Sequence, residues 1–313
     1  MVGTSGRSGL FLALLAAACF GTSGVFASAL IDAGWSPAAA VTARLVVASL
    51  ALTVPALISL RGRWGLLRQG AGATLAYGLV AVAGCQLFYF NAVERLDVGV
   101  ALLLEYLGSV LVVGWLWLRL GHTPRRLTVV GSALAMLGLA GVLDITGSVR
   151  IDLVGVFWGL SAAVGLAVFF VLSASEHNRL PPVVMAWAGM CIGAVALLVA
   201  GGLGVVPMRA STGPVSFLGN QMSWLVPVLG LSLVAAALAY VAGIGAARLL
   251  GPKISSFVGL TEVLFAVLFA WLLLGQQLAA IQIAGGMVVV AGIVLVKLDQ
   301  VASDDVEPVA VTA

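Results

Sequence analysis

Ten long apolar runs, parted by short polar links, dominate this chain of 313 residues. They fall at roughly 9–30, 37–60, 71–93, 98–118, 127–143, 153–174, 183–206, 224–247, 254–274 and 278–296. A helix of about 20 apolar residues crosses a hydrocarbon core about 30 Å thick. Backbone groups in hydrocarbon must pair within their own segment, so each run is expected to be a helix. Composition points the same way. Hydrophobic residues make up 62% of the chain and charged residues 9%, against about 25% charged in a soluble domain. A soluble fold of this size would lack the polar surface to cover its core, so lipid is the expected solvent. The first run follows Arg7 much as the apolar part of a signal peptide would. It is longer than the roughly 7–15 residues of such a segment and has a counterpart later in the chain. It is therefore read as the first of ten transmembrane helices in an all-α membrane protein.

The placement of charge predicts an orientation. When the links are numbered alternately, one side collects Arg7, Arg61, Arg63, Arg68, Arg119, Arg125, Arg126, Arg179, Arg248, Lys253 and Lys297. The other collects Arg95, Arg150 and Arg209, and Arg44 is left inside a helix. The basic side is expected to be cytoplasmic, with both termini there. These residues are scattered through separate loops, which argues against a nucleic-acid partner. Link 207–223, with Pro207, Gly213, Pro214 and Gly219, reads as an exposed loop. The segment 300–313 reads as a disordered acidic tail.

The chain also repeats itself. An offset of 154 sets Ala92 on Ala246, Gly121 on Gly275, Gly131 on Gly285 and Gly138 on Gly292. Nearer the N-terminus an offset of 146 sets Gly9 on Gly155, Phe11 on Phe157, Leu14 on Leu160 and Ala16 on Ala162. The halves are 1–150 and 151–299, with five helices each. Because five is odd, the second half enters the membrane from the opposite side. Inverted repeats of this kind carry their sites near the midplane, between the halves. Gly131 with Gly138, and Gly285 with Gly292, each lie on one helix face. Small residues there let helix backbones approach closely. Each pair is expected to meet neighbouring helices of its own half.

The stretch from Ser255 to Ala266, followed by Trp271-Leu272-Leu273-Leu274-Gly275-Gln276 and Ile283-Ala284-Gly285-Gly286, resembles the closing signature of the EamA family of the drug/metabolite transporter superfamily. Leu104-Glu105-Tyr106-Leu107-Gly108-Ser109-Val110, Phe20-Gly21-Thr22-Ser23-Gly24 and Arg44 are similar to further family features. The resemblance covers nearly the whole chain. It implies a ten-helix, five-plus-five architecture in a bacterial inner membrane and transport of amino acids, metabolites or drugs. Two departures stand out. Family members often carry proline after the glutamate-containing turn, where this chain has Ser109 and Val263. Many carry glutamate where this chain has Gln276. The first puts a proline-dependent kink in doubt, and the second removes an ionisable group.

A charge inside a bilayer costs about 2.5–3.5 kcal/mol on insertion scales and marks a functional candidate. Arg44, Glu105 and Glu262 qualify. Glu105 and Glu262 lie in repeat-related helices, nearly one turn apart under the offset, so both can face one central cavity. The functional reading is substrate binding or proton exchange. The structural reading is a hydrogen bond, or a salt bridge to Arg44. Gln86, Tyr89, Asn91, Tyr106 and Tyr240 are polar and aromatic candidates for the same wall, a lining that suits a small organic ligand. Glu94, Arg95 and Asp97 read as a solvated outer cluster. Trp35 and Trp224 read as interfacial anchors, and Trp115 and Trp117 as lipid-facing. Cys19, Cys85 and Cys191 lie in apolar runs and read as packing. Neither they nor His122 and His177 have metal-ligand spacing, so no metal and no cofactor is expected.

These features predict a secondary transporter of small organic metabolites, amino-acid-like compounds or drugs, working by alternating access. It is expected to be an exporter, with proton coupling open. No phosphate-binding glycine-rich motif is present to couple ATP. No nucleophile–base set or His-Glu-x-x-His stands at membrane depth, so an enzyme is not expected. The alternative is a channel or a non-transporting membrane subunit, though no filter sequence is visible. Monomer and homodimer both remain open.

Overall fold

The computed structural model describes residues 2–96, 98–121, 123–144, 152–175, 180–275, 277 and 279–304. Asp97, His122, Arg150, His177, Arg179, Gln276 and the tail beyond residue 304 lie outside the described residues. The chain is a helical membrane protein. Among the described residues, eight segments are long and apolar enough to cross a bilayer. They are α1 (Gly6–Asp32), α2 (Pro37–Leu60), α3 (Ala71–Val93), α4 (Val98–Arg119), α6 (Leu153–Ala174), α7 (Pro182–Gly202), α8 (Leu225–Gly259) and α10 (Ala280–Gln300). Two shorter apolar helices complete the set, α5 (Arg126–Val142) and α9 (Thr261–Leu274). Within α8, Gly251 takes φ 75° and ψ 167° and Pro252 follows it. Glycine tolerates that backbone and proline starts a new helix readily, so the residues after Gly251 form a separate rod leading towards α9.

The two halves share their irregularities. Wide, π-type turns run over Tyr77–Gly84 in α3 and Gly230–Leu238 in α8, nearly coincident under the offset of 154. Tight i→i−3 turns fall at Leu107 and Leu260, beside Glu105 and Glu262. Gly121 and Gly275 both end their helices at φ 68°. The tight turns form although Ser109 and Val263 replace proline. The Ser109 hydroxyl instead donates to the Ser256 carbonyl at 3.1 Å, which joins α4 to the end of α8.

Helix contacts cross between the halves, contrary to the expectation for the glycine faces. Gly131 and Gly138 of α5 lie against Gly292 and Gly285 of α10. A methyl group added at Gly292 would stand 2.6 Å from both the Gly131 carbonyl oxygen and the Ala135 nitrogen. One added at Gly285 would stand 2.6 Å from the Gly138 oxygen and the Val142 nitrogen. The repeat identifies which glycines correspond. Their partners are set by the packing of α5 against α10. The same exchange joins α1 to α8, where Gly9 meets Leu249 and Leu250, and α6 to α3, where Gly165 meets Cys85.

The 207–223 link is mostly exposed, as expected, but it also holds a hairpin, β1 (Val215–Phe217) and β2 (Asn220–Met222). Its turn residues Leu218 and Gly219 both have positive φ, as a two-residue hairpin turn requires. Phe217 stacks on Phe26 of α1 at 5.5 Å. Trp35 is no exposed anchor: it is buried, donates to the Ser211 carbonyl at 2.7 Å and packs on Trp224 at 5.7 Å. The expected tail is also corrected: helix continues through Asp304, past its expected start at residue 300. Asp299 is buried within it. It accepts a hydrogen bond from Thr128 of α5 and pairs with Lys253 at 3.3 Å. Asp299→Asn leaves Lys253, 18% exposed, without its charge partner. Breaking a fully buried pair costs about 3–5 kcal/mol. For this partly exposed lysine the expected loss is about 1–3 kcal/mol. Thermal unfolding in detergent measures it, and an unchanged melting temperature would assign the pair no structural weight.

Candidate substrate cavity

The cross-half contacts define two faces of the helix bundle. On one face, Ser36 hydrogen-bonds the Pro207 carbonyl, Arg95 lies 4.0 Å from Asp152, and Gln282 donates to the Val142 carbonyl at 3.2 Å. These contacts gather the links after α1, α3, α5, α7 and α9. On the opposite face, Gly9 meets Leu249, Arg248 donates to the Ser173 carbonyl at 3.3 Å, and Lys253 meets Asp299.

A cavity of about 790 Å³ lies between the halves. Towards the first face its walls reach the helix ends at Ile31, Pro37, Val93, Val98, Leu143 and Gln277. Towards the second they stop at Ala13, Ala246 and Ser255. The cavity therefore opens to one face and is closed towards the other. A second groove of about 480 Å³, against Ile283, Met287 and Val290, is almost wholly apolar. Its exposed side chains suit contact with lipid.

Arg44, Gln86, Tyr89, Glu105, Tyr106, Tyr240 and Glu262 all line the main cavity. Glu105 reaches it from the first half and Glu262 from the second, each beside its tight turn. Asn91 does not line it. Its amide donates to the Leu87 carbonyl one turn back at 2.7 Å, so it satisfies its own helix. In the outer cluster, Glu94 and Arg95 are exposed, as a solvated patch should be. Trp115 and Trp117 are exposed on the helix surface.

Arg44 is buried, yet it makes no ion pair within 4 Å among the described residues. One guanidinium nitrogen donates to the Ala235 carbonyl in the wide turn of α8. The head lies 5.9 Å from the centre of the Phe20 ring, while Nε has no partner. Neither carboxylate has a basic side chain within 4 Å among the described residues. Glu105 accepts from the Cys85 thiol at 3.2 Å, and Tyr106 stands beside Glu262. Neither glutamate is thus in a direct salt bridge among the described residues, although Glu262 lies in the field of Arg44. An ionised group without a charge partner is costly unless water or a proton reaches it, and both glutamates are half-buried at the cavity wall.

Several lining residues escape sequence reasoning. Phe20, Phe169 and Tyr240 form a cluster of edge-on rings, with centroids 5.1 and 5.6 Å from Tyr240. Phe20 sits in a stretch already noted for its family likeness, whereas Phe169 looks like any residue of an apolar run. Cys85 is more than packing, since it touches a cavity carboxylate.

The EamA-like transporter family model matches residues 7–144 and 153–298. The chain belongs to the EamA family. One matched segment lies in the first half of the chain and the other in the second. An uncharacterized inner membrane transporter, YicL, of Salmonella typhimurium is 23% identical over 303 residues, which cover 94% of this chain and 97% of that protein. An uncharacterized transporter of Archaeoglobus fulgidus is 25% identical over 207 residues, 66% of this chain and 70% of that one. A crystal structure superposes with a TM-score of 0.75 at 18% identity, covering 93% of this chain and 97% of the other. That likeness speaks for the fold. This EamA protein is thus a multi-pass membrane protein of a transporter family.

Proposed function

We propose that this protein is a secondary transporter that exports a small organic metabolite, amino-acid-like or drug-like, by alternating access. The observation that carries the reading is the cavity. It is open to one face, and it receives one carboxylate from each half with no basic side chain within 4 Å of either among the described residues. Ten spanning helices in two inverted repeats, 1–150 and 151–299, account for it, with α5 and α9 as the short spans. Glu105 and Glu262 hold the cargo's cationic group or exchange a proton for it. Arg44, with its free Nε, faces acceptor atoms of the cargo. Tyr106, Tyr240 and Gln86 give shape and hydrogen bonds. A proton gradient drives the cycle if the carboxylates titrate during it. The site needs no cofactor.

The face that carries most Lys and Arg is cytoplasmic, with both termini, so the cavity as described opens outwards. Single cysteines introduced by Arg63→Cys, Arg125→Cys or Asn220→Cys, in a chain lacking its three native cysteines, test this. In intact cells a membrane-impermeant maleimide should label position 220 and spare 63 and 125 until the membrane is permeabilised. Ready labelling of 63 or 125 from outside would overturn the orientation. Cargo is found by comparing metabolites inside and outside cells with and without the protein. The reading as a metabolite transporter fails if no compound changes its distribution.

A further inference from the structure

Cys85 stands at the crossing of α3 and α6. A methyl group on Gly165 of α6 would come 2.8 Å from the Cys85 side chain, so the helices touch there. The thiol is buried and carries a single hydrogen. Two acceptors lie within reach of it: Glu105 Oε1 at 3.2 Å and the Ala162 carbonyl of α6 at 3.5 Å. With one hydrogen, the thiol can point it squarely at only one of them at a time. The repeat counterpart of Cys85, under the offset of 154, is Ala239, which has no donor. Glu262 has no hydrogen-bonded thiol among the described residues and stands next to the Tyr106 phenol. The two carboxylates therefore have different neighbours, although the halves repeat.

Building on the reading of Glu105 as a working carboxylate, we infer that Cys85 is a positioning residue whose thiol hydrogen moves between two acceptors. It sits on Glu105 while that group is ionised, and turns to the Ala162 carbonyl when Glu105 takes up a proton or gives its charge to cargo. The thiol thereby ties the charge state of a first-half carboxylate to a contact with the second half. No bond is made or broken beyond these hydrogen bonds. Other groups face the same carboxylate: Tyr89 on α3, Tyr106 beside it on α4, Tyr240 on α8 and Glu262 on α9. Arg44 on α2 acts on Tyr240 and Glu262. None of them stands in the repeat position of the thiol.

Infrared spectroscopy of the full chain in lipid vesicles tests this without knowledge of the cargo. The wild-type minus Cys85→Ala difference isolates the S–H stretch of Cys85. The wild-type minus Glu105→Gln difference isolates the protonated Glu105 carboxyl band. The S–H band should move over the same pH range in which the carboxyl band appears, and should be indifferent to pH in Glu105→Gln. Cys85→Ala should raise the midpoint of the carboxyl band by about half a pH unit, the worth of one weak hydrogen bond to the ionised form. Cys85→Ser, a stronger donor of similar size, should lower it. Purely structural packing would not give shifts of opposite sign. If the carboxyl band titrates while the S–H band and the midpoints stay fixed, the role of Cys85 is overturned and that of Glu105 stands. A carboxyl band that never appears would overturn the proton-carrying reading of Glu105, and this inference with it.

Discussion

Glu105→Gln should bring cargo transport in reconstituted vesicles down to the level of empty vesicles while the protein inserts and folds as before. Glutamine keeps the size of the side chain and can still accept from the Cys85 thiol, so α3 and α4 retain their contact. What it loses is charge. Removing one partner of a buried, hydrogen-bonded charge pair costs about 2–5 kcal/mol, and 1.4 kcal/mol is a factor of ten. A cargo cation that relies on Glu105 should therefore lose on the order of a hundredfold or more in transport efficiency. Glu262→Gln should weaken transport too, or move its pH optimum, because Glu262 faces the same cavity and lies in the field of Arg44. Wild-type rates and pH dependence in both variants would assign the carboxylates to structure. The aromatic and amide side chains would then be the better candidates for the site.

The largest effect on assembly is expected at the α5–α10 contact. Gly138→Leu or Gly292→Leu should sharply lower the yield of monodisperse protein in detergent and the melting temperature of what remains. Overfilling a packed contact typically costs about 1–3 kcal/mol, because neighbours must move. Here the neighbours are backbone atoms of the facing helix, which cannot change rotamer, so the cost belongs at or above the top of that range. Gly72, whose added methyl group would meet nothing within 4 Å, provides the control: Gly72→Leu should leave both measures close to wild type. If Gly138→Leu and Gly292→Leu behave like the control, the two last helices do not meet face to face.

The helices were legible because a bilayer imposes a length and an apolar composition that survive in any single sequence. The cavity-lining glutamates were legible for the converse reason, since a charge in an apolar run stands out. Partners were harder to read. The offset of 154 relates Gly138 to Gly292, but a repeat says which residues are equivalent and not which ones touch. Each half lends its first helix to the other, and the last helices, α5 and α10, pair with one another. Asn91 looked as conspicuous as Gln86, yet a polar side chain in a helix can satisfy itself on the preceding turn, and this one does. The burial of Asp299, next to the expected tail, gave no signal in the sequence because its partners, Thr128 and Lys253, lie 171 and 46 residues away. Cys85 was indistinguishable from the other two cysteines until Glu105 was placed against it. The Leu218-Gly219 turn could have marked the hairpin, but the surrounding glycines and prolines masked it as a loop.

Counterflow in vesicles tests the proposed function most directly. Purified protein is reconstituted, the vesicles are loaded with unlabelled cargo, and entry of a trace of labelled cargo is followed with no other gradient imposed. A protein whose cavity faces one side at a time must return its site loaded or empty. Internal cargo should therefore accelerate labelled entry and drive a transient accumulation above the outside level, with a rate that saturates as cargo increases. Labelled entry that rises linearly with concentration and is indifferent to internal cargo would describe a channel, and would contradict alternating access through this cavity.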